Sequence, residues 1–344
     1  MKEIIIQEKD SGQRLDKFLK KYFSAAESGF LYKMLRKKNI VLNGKKSEGR
    51  ELLKAGDSIK VFFSDETFAK LSRTSSVTVN GADDGNSVYH RAYRELNGIR
   101  VLMESEDLIF LNKPAGILSQ QDGRGSITLN EWITGYLLHS GQEVELSHYR
   151  PSVCNRLDRN TSGIIIGAKT YAGSRLVTKL IREHRLKKYY YAVVEGIIDA
   201  PQDIKGYLYK NKKTNQVTVY HEAEAIPERY RSEAAKIHTS YRPLEHLREY
   251  TLLEVELITG KTHQIRAHLA SVGHPLAGDI KYGGQPYRGV DGVKRTVQML
   301  HAGRIVFPAL TGDDTGSLSP LSGLMVECPM PDYFWEHSKL LAHL

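Results

Sequence analysis

From Ile99 onward the chain is dominated by short, strand-like apolar runs. They are Val101-Leu102, Leu108 to Leu111, Gly163 to Ala168, Tyr190 to Val194 and Tyr250 to Leu257. One clear amphipathic helix interrupts them, from Ala172 to Lys187, with Leu176, Val177, Leu180 and Ile181 spaced for burial. Strands in runs with occasional helices, without strict alternation, predict an α+β fold. Its central sheet should be mixed and largely antiparallel, flanked by helices and loops. No internal repeat stands out.

The first 63 residues read as a separate small α/β module. Leu15, Phe18, Leu19 and Tyr22 share one helical face, and a second helix is predicted from Ser28 to Lys38, burying Leu31, Met34 and Leu35. Ile40-Val41-Leu42 reads as a strand, Asn43-Gly44 as a tight hairpin turn, and Ser58 to Phe63 as the closing strand. Residues 64–98 read as a linker, because serines, glycines and acidic residues dominate and Asn80 to Ser87 has almost no apolar content. A short ordered stretch is expected at Arg91 to Leu96. The second domain then spans 99–344, with a further Gly/Ser/Asp-rich loop from Thr311 to Ser322.

A chain of 344 residues has enough interior for a hydrophobic core without disulfides or metals. It contains no run of 18 apolar residues, so a membrane-spanning helix and a membrane partner are not expected. Met1 to Asp10 lacks the order of a secretory signal. Two cysteines cannot make a disulfide scaffold, and a cytoplasmic compartment is the simplest reading. The net charge is +9, and residues 1–60 alone hold 15 Lys/Arg against 8 Asp/Glu. That excess points to a polyanionic partner. Lys33, Arg36, Lys37 and Lys38 on the second helix, and Arg175, Lys179, Arg182, Arg185 and Lys187 on the long one, are the candidate grips. Either set alone also reads as a solvated helix face.

Four constellations can carry chemistry. In Asn155-Arg156-Leu157-Asp158-Arg159-Asn160-Thr161-Ser162-Gly163, a carboxylate sits between two arginines in a turn feeding an apolar strand. Thr161 and Ser162 can hold the turn, and Gly163 lets it bend. Alone, this is an ordinary ion-paired loop. In Thr259-Gly260-Lys261-Thr262-His263-Gln264-Ile265-Arg266-Ala267-His268, a strand ends and a helix opens near Thr262, its expected N-cap. His263 and His268 are five apart and lack a third ligand, so no metal site is read there. Arg266 can offer a fork to a carboxylate or phosphate, or cap a core edge. In Lys187 to Gly196, Tyr190, Ala192 and Val194 alternate onto one face and Tyr189, Tyr191 and Val193 onto the other. Tyr190 can stack on a base or fill the core. Finally, Leu111-Asn112-Lys113-Pro114-Ala115-Gly116 is a strand end breaking into a turn. No phosphate loop, dinucleotide fingerprint or Cys/His cluster is present in the sequence.

Taken in order, Asn112-Lys113-Pro114-x-Gly116, Arg156-Leu157-Asp158-x-x-Thr161-Ser162-Gly163, Lys188-x-Tyr190-x-Ala192-x-Val194-x-Gly196 and Thr259 to His268 resemble the RluA-type RNA pseudouridine synthases. His274-Pro275-Leu276-x-Gly278-Asp279, Lys281-Tyr282-Gly283 and Leu300-His301-Ala302 extend the resemblance. The first 63 residues separately resemble an S4-type RNA-binding module. Many members carry His where this chain has Asn155, which touches positioning rather than the nucleophile.

The resemblance implies an isomerase that detaches uracil from ribose, rotates it and rejoins it through carbon 5, without a cofactor. It implies Asp158 as nucleophile or base, Arg266 pairing with it, Tyr190 stacking on the flipped base and relaying the carbon 5 proton, and Lys113 as a supporting charge. Arg156 would fill the vacated place in the RNA. Thr161, Ser162, His263 and Gln264 join the basic helices as RNA contacts. Ribosomal RNA, 23S in particular, is the expected substrate and transfer RNA the alternative. A monomer is the default. An acyl-sugar adduct and a glycal remain open as the intermediate. The competing readings are a non-catalytic RNA-binding or assembly factor of the same fold, and a methyltransferase bearing an S4-type module.

Overall fold

The computed structural model describes residues 1–7, 10–72, 87–123, 125–142, 144, 149–211, 214–288, 293–311 and 316–335. The first part of the chain forms β1 (Lys2–Ile5), α1 (Leu15–Tyr22), α2 (Ser28–Arg36), β2 (Ile40–Leu42) and β3 (Ser58–Val61). Its sheet runs β1-β3-β2, antiparallel throughout. Leu15, Phe18 and Leu19 of α1 meet Leu31, Met34 and Leu35 of α2 over this sheet, because both helices place their apolar residues three and four apart. Asn43 and Gly44 both have positive φ (50° and 72°), as a two-residue hairpin turn requires.

The segment read as a linker holds two helices. Helix α3 (Asp65–Leu71) lays Phe68 and Leu71 on the small core, and α4 (Val88–Glu95) buries Ala92 in the larger one. Residues 73–86 between them lie outside the described residues. The two parts also touch directly. Lys21 sits over the rings of Tyr149 (5.4 Å) and Tyr171 (5.1 Å).

Among the described residues the larger sheet has eleven strands. In chain order they are β4 (Arg100–Glu104), β5 (Leu108–Lys113), β6 (Ser152–Val153), β7 (Ser162–Ala168), β8 (Lys187–Glu195), β9 (Gln202–Asn211), β10 (Gln216–Tyr220), β11 (Ala235–Leu247), β12 (Tyr250–Leu257), β15 (Leu300–Val306) and β16 (Met325–Glu327). The small ribbon of β13 (Tyr287–Arg288) and β14 (Lys294–Arg295) lies apart. The spatial order is β10-β9-β11-β12-β8-β15-β7-β5-β4, with β16 on β15 and β6 on β7. Every pairing is antiparallel except β15 with β7. The fold is thus α+β with a mixed, largely antiparallel sheet.

Helices cover both faces, which is why the central strands are apolar on both sides. Ile109, Leu111 and Ile165 point to the side of α5 (Leu129–His139) and α7 (Gln264–Ser271). Leu108, Phe110, Ile164 and Ile166 point to the side of α6 (Tyr171–Arg182). A short α8 (Asp332–Trp335) closes the described chain. The long helix predicted to reach Lys187 ends at Arg182. His184 takes a left-handed φ of 54°, and Arg185 N–H returns to Leu180 O at 2.9 Å, turning the chain into β8. The apolar pattern ran on because Leu186, already past the helix, is also buried. The loop expected over Thr311 to Ser322 contains a 3₁₀ helix, Gly316–Leu321, whose Leu318 and Leu321 join the core.

Gly163 sits where β7 meets β15 in parallel. Its φ is +108°, and a Cβ there would fall 2.2 Å from Ala302 O. Only glycine admits that approach. Gly163→Ala is expected to cost about 3 kcal/mol, read as a lower urea midpoint at unchanged slope.

Candidate active site

The loop after Asn155 is held by bonds to backbone groups. Ser119 Oγ donates to Leu157 O (2.9 Å) and accepts from Leu157 N–H (3.2 Å). Gly116 N–H donates to Arg159 O (2.8 Å), and Arg159 Nε donates back to Gly116 O (3.1 Å). Lys113 is fully buried at the end of β5 and donates to Pro114 O, Ile117 O and Arg159 O at 2.9 to 3.0 Å. Burial pushes its ammonium down to about 7, and the nearby Asp158 charge opposes that shift. Lys113 thus ties the Pro114 turn to the Asp158 loop.

Asp158 stands at the tip of this loop, its side chain 24% exposed. Oδ2 accepts from Arg266 Nη1 at 2.9 Å. The partner lies 108 residues along the chain. The adjacent arginines, which the sequence suggested as its neighbours, do other things. Arg159 binds Gly116, and Arg156 is exposed.

Arg266 is buried on α7 and forms a fork with a residue that no role had been read for. Nε donates to Asp279 Oδ2 (2.7 Å) and Nη2 to Asp279 Oδ1 (2.8 Å). Burial works against the guanidinium's charge, but the bonds and charges of Asp279 and Asp158 outweigh it and raise its pKa. Asp279 is 2% exposed. Its loop lies against β8, with Ala277 N–H on Val193 O (2.9 Å) and Glu195 N–H on Pro275 O (3.0 Å). The signal for it was the Gly278-Asp279 pair, which carried the resemblance without a side-chain role. Tyr282 was missed in the same way: its ring lies 5.0 Å from the Arg266 guanidinium.

Tyr190, 6% exposed, faces the same side of β8 as Ala192 and Val194. Burial raises its phenol above the ordinary value, and the charge of Asp158 adds to this. Tyr190 is therefore a neutral hydrogen-bond donor and a flat apolar face within electrostatic reach of Asp158.

Helix α7 begins one residue later than expected. Its N-cap is His263, with φ +54°, not Thr262. The turn is pinned from inside by Gln264. Its Oε1 accepts from Thr259 Oγ1 (2.9 Å) and Lys261 N–H (3.1 Å), and its Nε2 donates to His238 O (3.0 Å). Gln264 is 2% exposed, so it shapes the site rather than facing RNA. Thr161 and Ser162 are likewise buried. Thr161 Oγ1 accepts from Gln298 Nε2 (3.2 Å), and Ser162 Oγ bonds His301 Nδ1 (2.8 Å). Three residues expected to touch RNA are thus interior pins, because polar side chains in a tight turn serve its backbone first. Lys33, Arg36, Lys37 and Lys38 are exposed on the small N-terminal unit, outside this cluster. Asn155 bonds the strand backbone, accepting from Ile166 N–H at 2.8 Å.

Burial lowers the imidazoles of His263, His268 and His301 to about 4 each. Their folded-state values lie below the ordinary one, so the unfolded chain binds more protons between pH 6.5 and 4. Stability is complete above that window and falls as acid is added, by up to about 3 kcal/mol per histidine. Urea midpoints taken from pH 7.5 to 4 are expected to drop steeply, ending in acid unfolding.

Among the described residues no group of three or more metal-ligating side chains forms a site, and no helix is long and apolar enough to cross a membrane. A family model described as RNA pseudouridylate synthase matches residues 107–271. The chain is 31% identical over 314 residues to ribosomal large subunit pseudouridine synthase C of Vibrio cholerae, covering 88% of each chain. It is 31% identical over 267 residues to ribosomal large subunit pseudouridine synthase D of Nitrosomonas europaea, covering 75% of this chain and 69% of that one. Among solved structures, human RNA pseudouridylate synthase domain containing 4 shares the fold, with a TM-score of 0.55 and 22% identity, covering 73% of this chain and 95% of that one.

Proposed function

The chain belongs to the RNA pseudouridine synthase family, and we propose that it isomerises uridine in ribosomal RNA of the large subunit with Asp158 as nucleophile. The carrying observation is the carboxylate itself. One oxygen, Oδ2, accepts from Arg266, which Asp279 holds in turn, while among the described residues no hydrogen bond reaches Oδ1 and His263 Nε2 lies 4.0 Å from it. An oriented carboxylate with one open oxygen suits attack on an anomeric carbon. Oδ1 attacks C1′ and the C1′–N1 bond breaks, leaving a ribosyl ester and a uracil anion. The base turns, C5 attacks C1′ and the ester bond breaks, which frees the carboxylate; the C5 proton then passes to a base or solvent and N1 takes one up, giving pseudouridine. A glycal route uses the same carboxylate to take the C2′ proton instead.

The target uridine must leave its stack to reach this loop. Tyr190 offers the flipped base a face. Its phenol stays protonated, so it cannot act as a strong base towards the carbon 5 proton unless it first gives up its own. Exposed Arg156, two residues from Asp158, is the side chain to fill the vacated place. The basic small unit, read as an S4-type module, supplies further phosphate contacts. Two relatives named for the ribosomal large subunit support that substrate over transfer RNA. A cytoplasmic monomer completes the reading.

The test is tritium release from unmodified RNA labelled at carbon 5 of uridine. Release from 23S ribosomal RNA and none from transfer RNA is the expected result. No release from ribosomal RNA, free or in assembled particles, overturns the reading.

A further inference from the structure

His263 stands in a conformation that few side chains adopt, beside the open oxygen of Asp158. A φ of +54° on a non-glycine residue is costly and persists only where neighbours impose it. Here the buried Gln264 imposes it through its bonds to Thr259, Lys261 and His238. The ring is fixed as well. Tyr282 Oη lies 2.7 Å from His263 Nδ1 and accepts from Val217 N–H at 3.4 Å. With the phenol hydrogen given to Nδ1, Tyr282 both donates and accepts. That leaves the imidazole hydrogen on Nε2, on the side of Asp158. Burial keeps the ring neutral and the Tyr282 phenol protonated, in keeping with these roles.

Nε2 and Asp158 Oδ1 are 4.0 Å apart. That is too far for a direct hydrogen bond, but an oxygen about 2.8 Å from each spans the gap. Such an oxygen must accept from Nε2–H and donate to the carboxylate. Phosphate oxygens and uracil carbonyls only accept. Within an RNA strand the ribose 2′-hydroxyl does both, and it stands on the carbon next to C1′. Bonds to the corresponding hydroxyl strengthen at the transition state of glycosidic cleavage. It is also the group that separates RNA from DNA.

We propose that His263 is a positioning residue that holds the 2′-hydroxyl of the target ribose between Nε2–H and the open oxygen of Asp158. The inference rests on Asp158 acting at C1′. It gives the site a specificity for ribose that its fold alone does not.

The experiment compares two RNAs made by splinted ligation of 23S transcripts, carrying uridine or 2′-deoxyuridine at the mapped target. Isomerisation is scored on both, for wild type, His263→Ala and His263→Gln, with circular dichroism confirming the fold. Removing the hydroxyl changes the intrinsic reactivity of the sugar, but equally for every variant, so the ratio of ratios isolates the contact. Wild type is expected to prefer ribose by about 100-fold, and His263→Ala to lose most of that preference while slowing on ribose by a similar factor. His263→Gln, which keeps a donor, should recover part of it. A folded His263→Ala that keeps the wild-type preference overturns the inference, and so does a wild type that ignores the 2′-hydroxyl. Wild type that turns over neither RNA overturns the underlying assignment instead.

Discussion

Asp158→Asn is expected to lose turnover by about 10⁴-fold or more while remaining folded. The amide has nearly the volume of the carboxylate, and its oxygen can still accept from Arg266 Nη1, which now sits 2.9 Å from Oδ2. What disappears is the negative charge and with it any ester to C1′ or removal of a C2′ proton. Arg266 keeps its fork to Asp279, so the buried guanidinium is still compensated. Unfolding should therefore shift by less than about 2 kcal/mol. Tritium release and thermal midpoint, measured on the same preparation, separate the two effects. Turnover within tenfold of wild type would remove Asp158 from the chemistry.

Asp279→Ala carries the second large effect, and it falls on stability and rate together. Both Asp279 oxygens hold Arg266 at 2.7 and 2.8 Å, in a place where the carboxylate is 2% exposed. Removing it leaves a buried cation with Asp158 as its remaining carboxylate partner. Breaking such a pair costs about 3–5 kcal/mol. The same change frees Arg266 to swing, and Asp158 loses its fixed orientation, which should lower kcat by about 100-fold with KM little changed. Asp279→Asn keeps the shape and should cost less in both. A thermal midpoint within 1 or 2 °C of wild type for Asp279→Ala, on the order of a negligible stability change for a chain this long, would mean that the fork is dispensable.

The sequence was most informative where its period matched a buried face. Leu108 to Leu111 and Gly163 to Ala168 are apolar at consecutive positions because helices cover both sides of the sheet, and those runs announced strands. The spacing of Leu15, Phe18 and Leu19 marked α1 in the same way. It failed at boundaries, where the pattern does not change but the backbone does. Leu186 continued the apolar stripe past the true helix end at Arg182. His263 displaced Thr262 as the N-cap because the side chain of Gln264, not that of Thr262, satisfies the turn.

The sequence by itself determined the fold class, since that rests on local periodicity, and the order of its motifs, through which it resembles its family. Only the tertiary structure decided what each polar residue does. Lys113 was read as a supporting charge, yet its ammonium is consumed by three backbone carbonyls. Thr161, Ser162 and Gln264 were read as facing RNA and turn inward. Asp279 and Tyr282 carried no role and stand against Arg266. The physical reason is that a hydrogen-bonding group is assigned by its nearest unsatisfied partner. Across 108 residues, as between Asp158 and Arg266, that partner is chosen by packing and not by spacing.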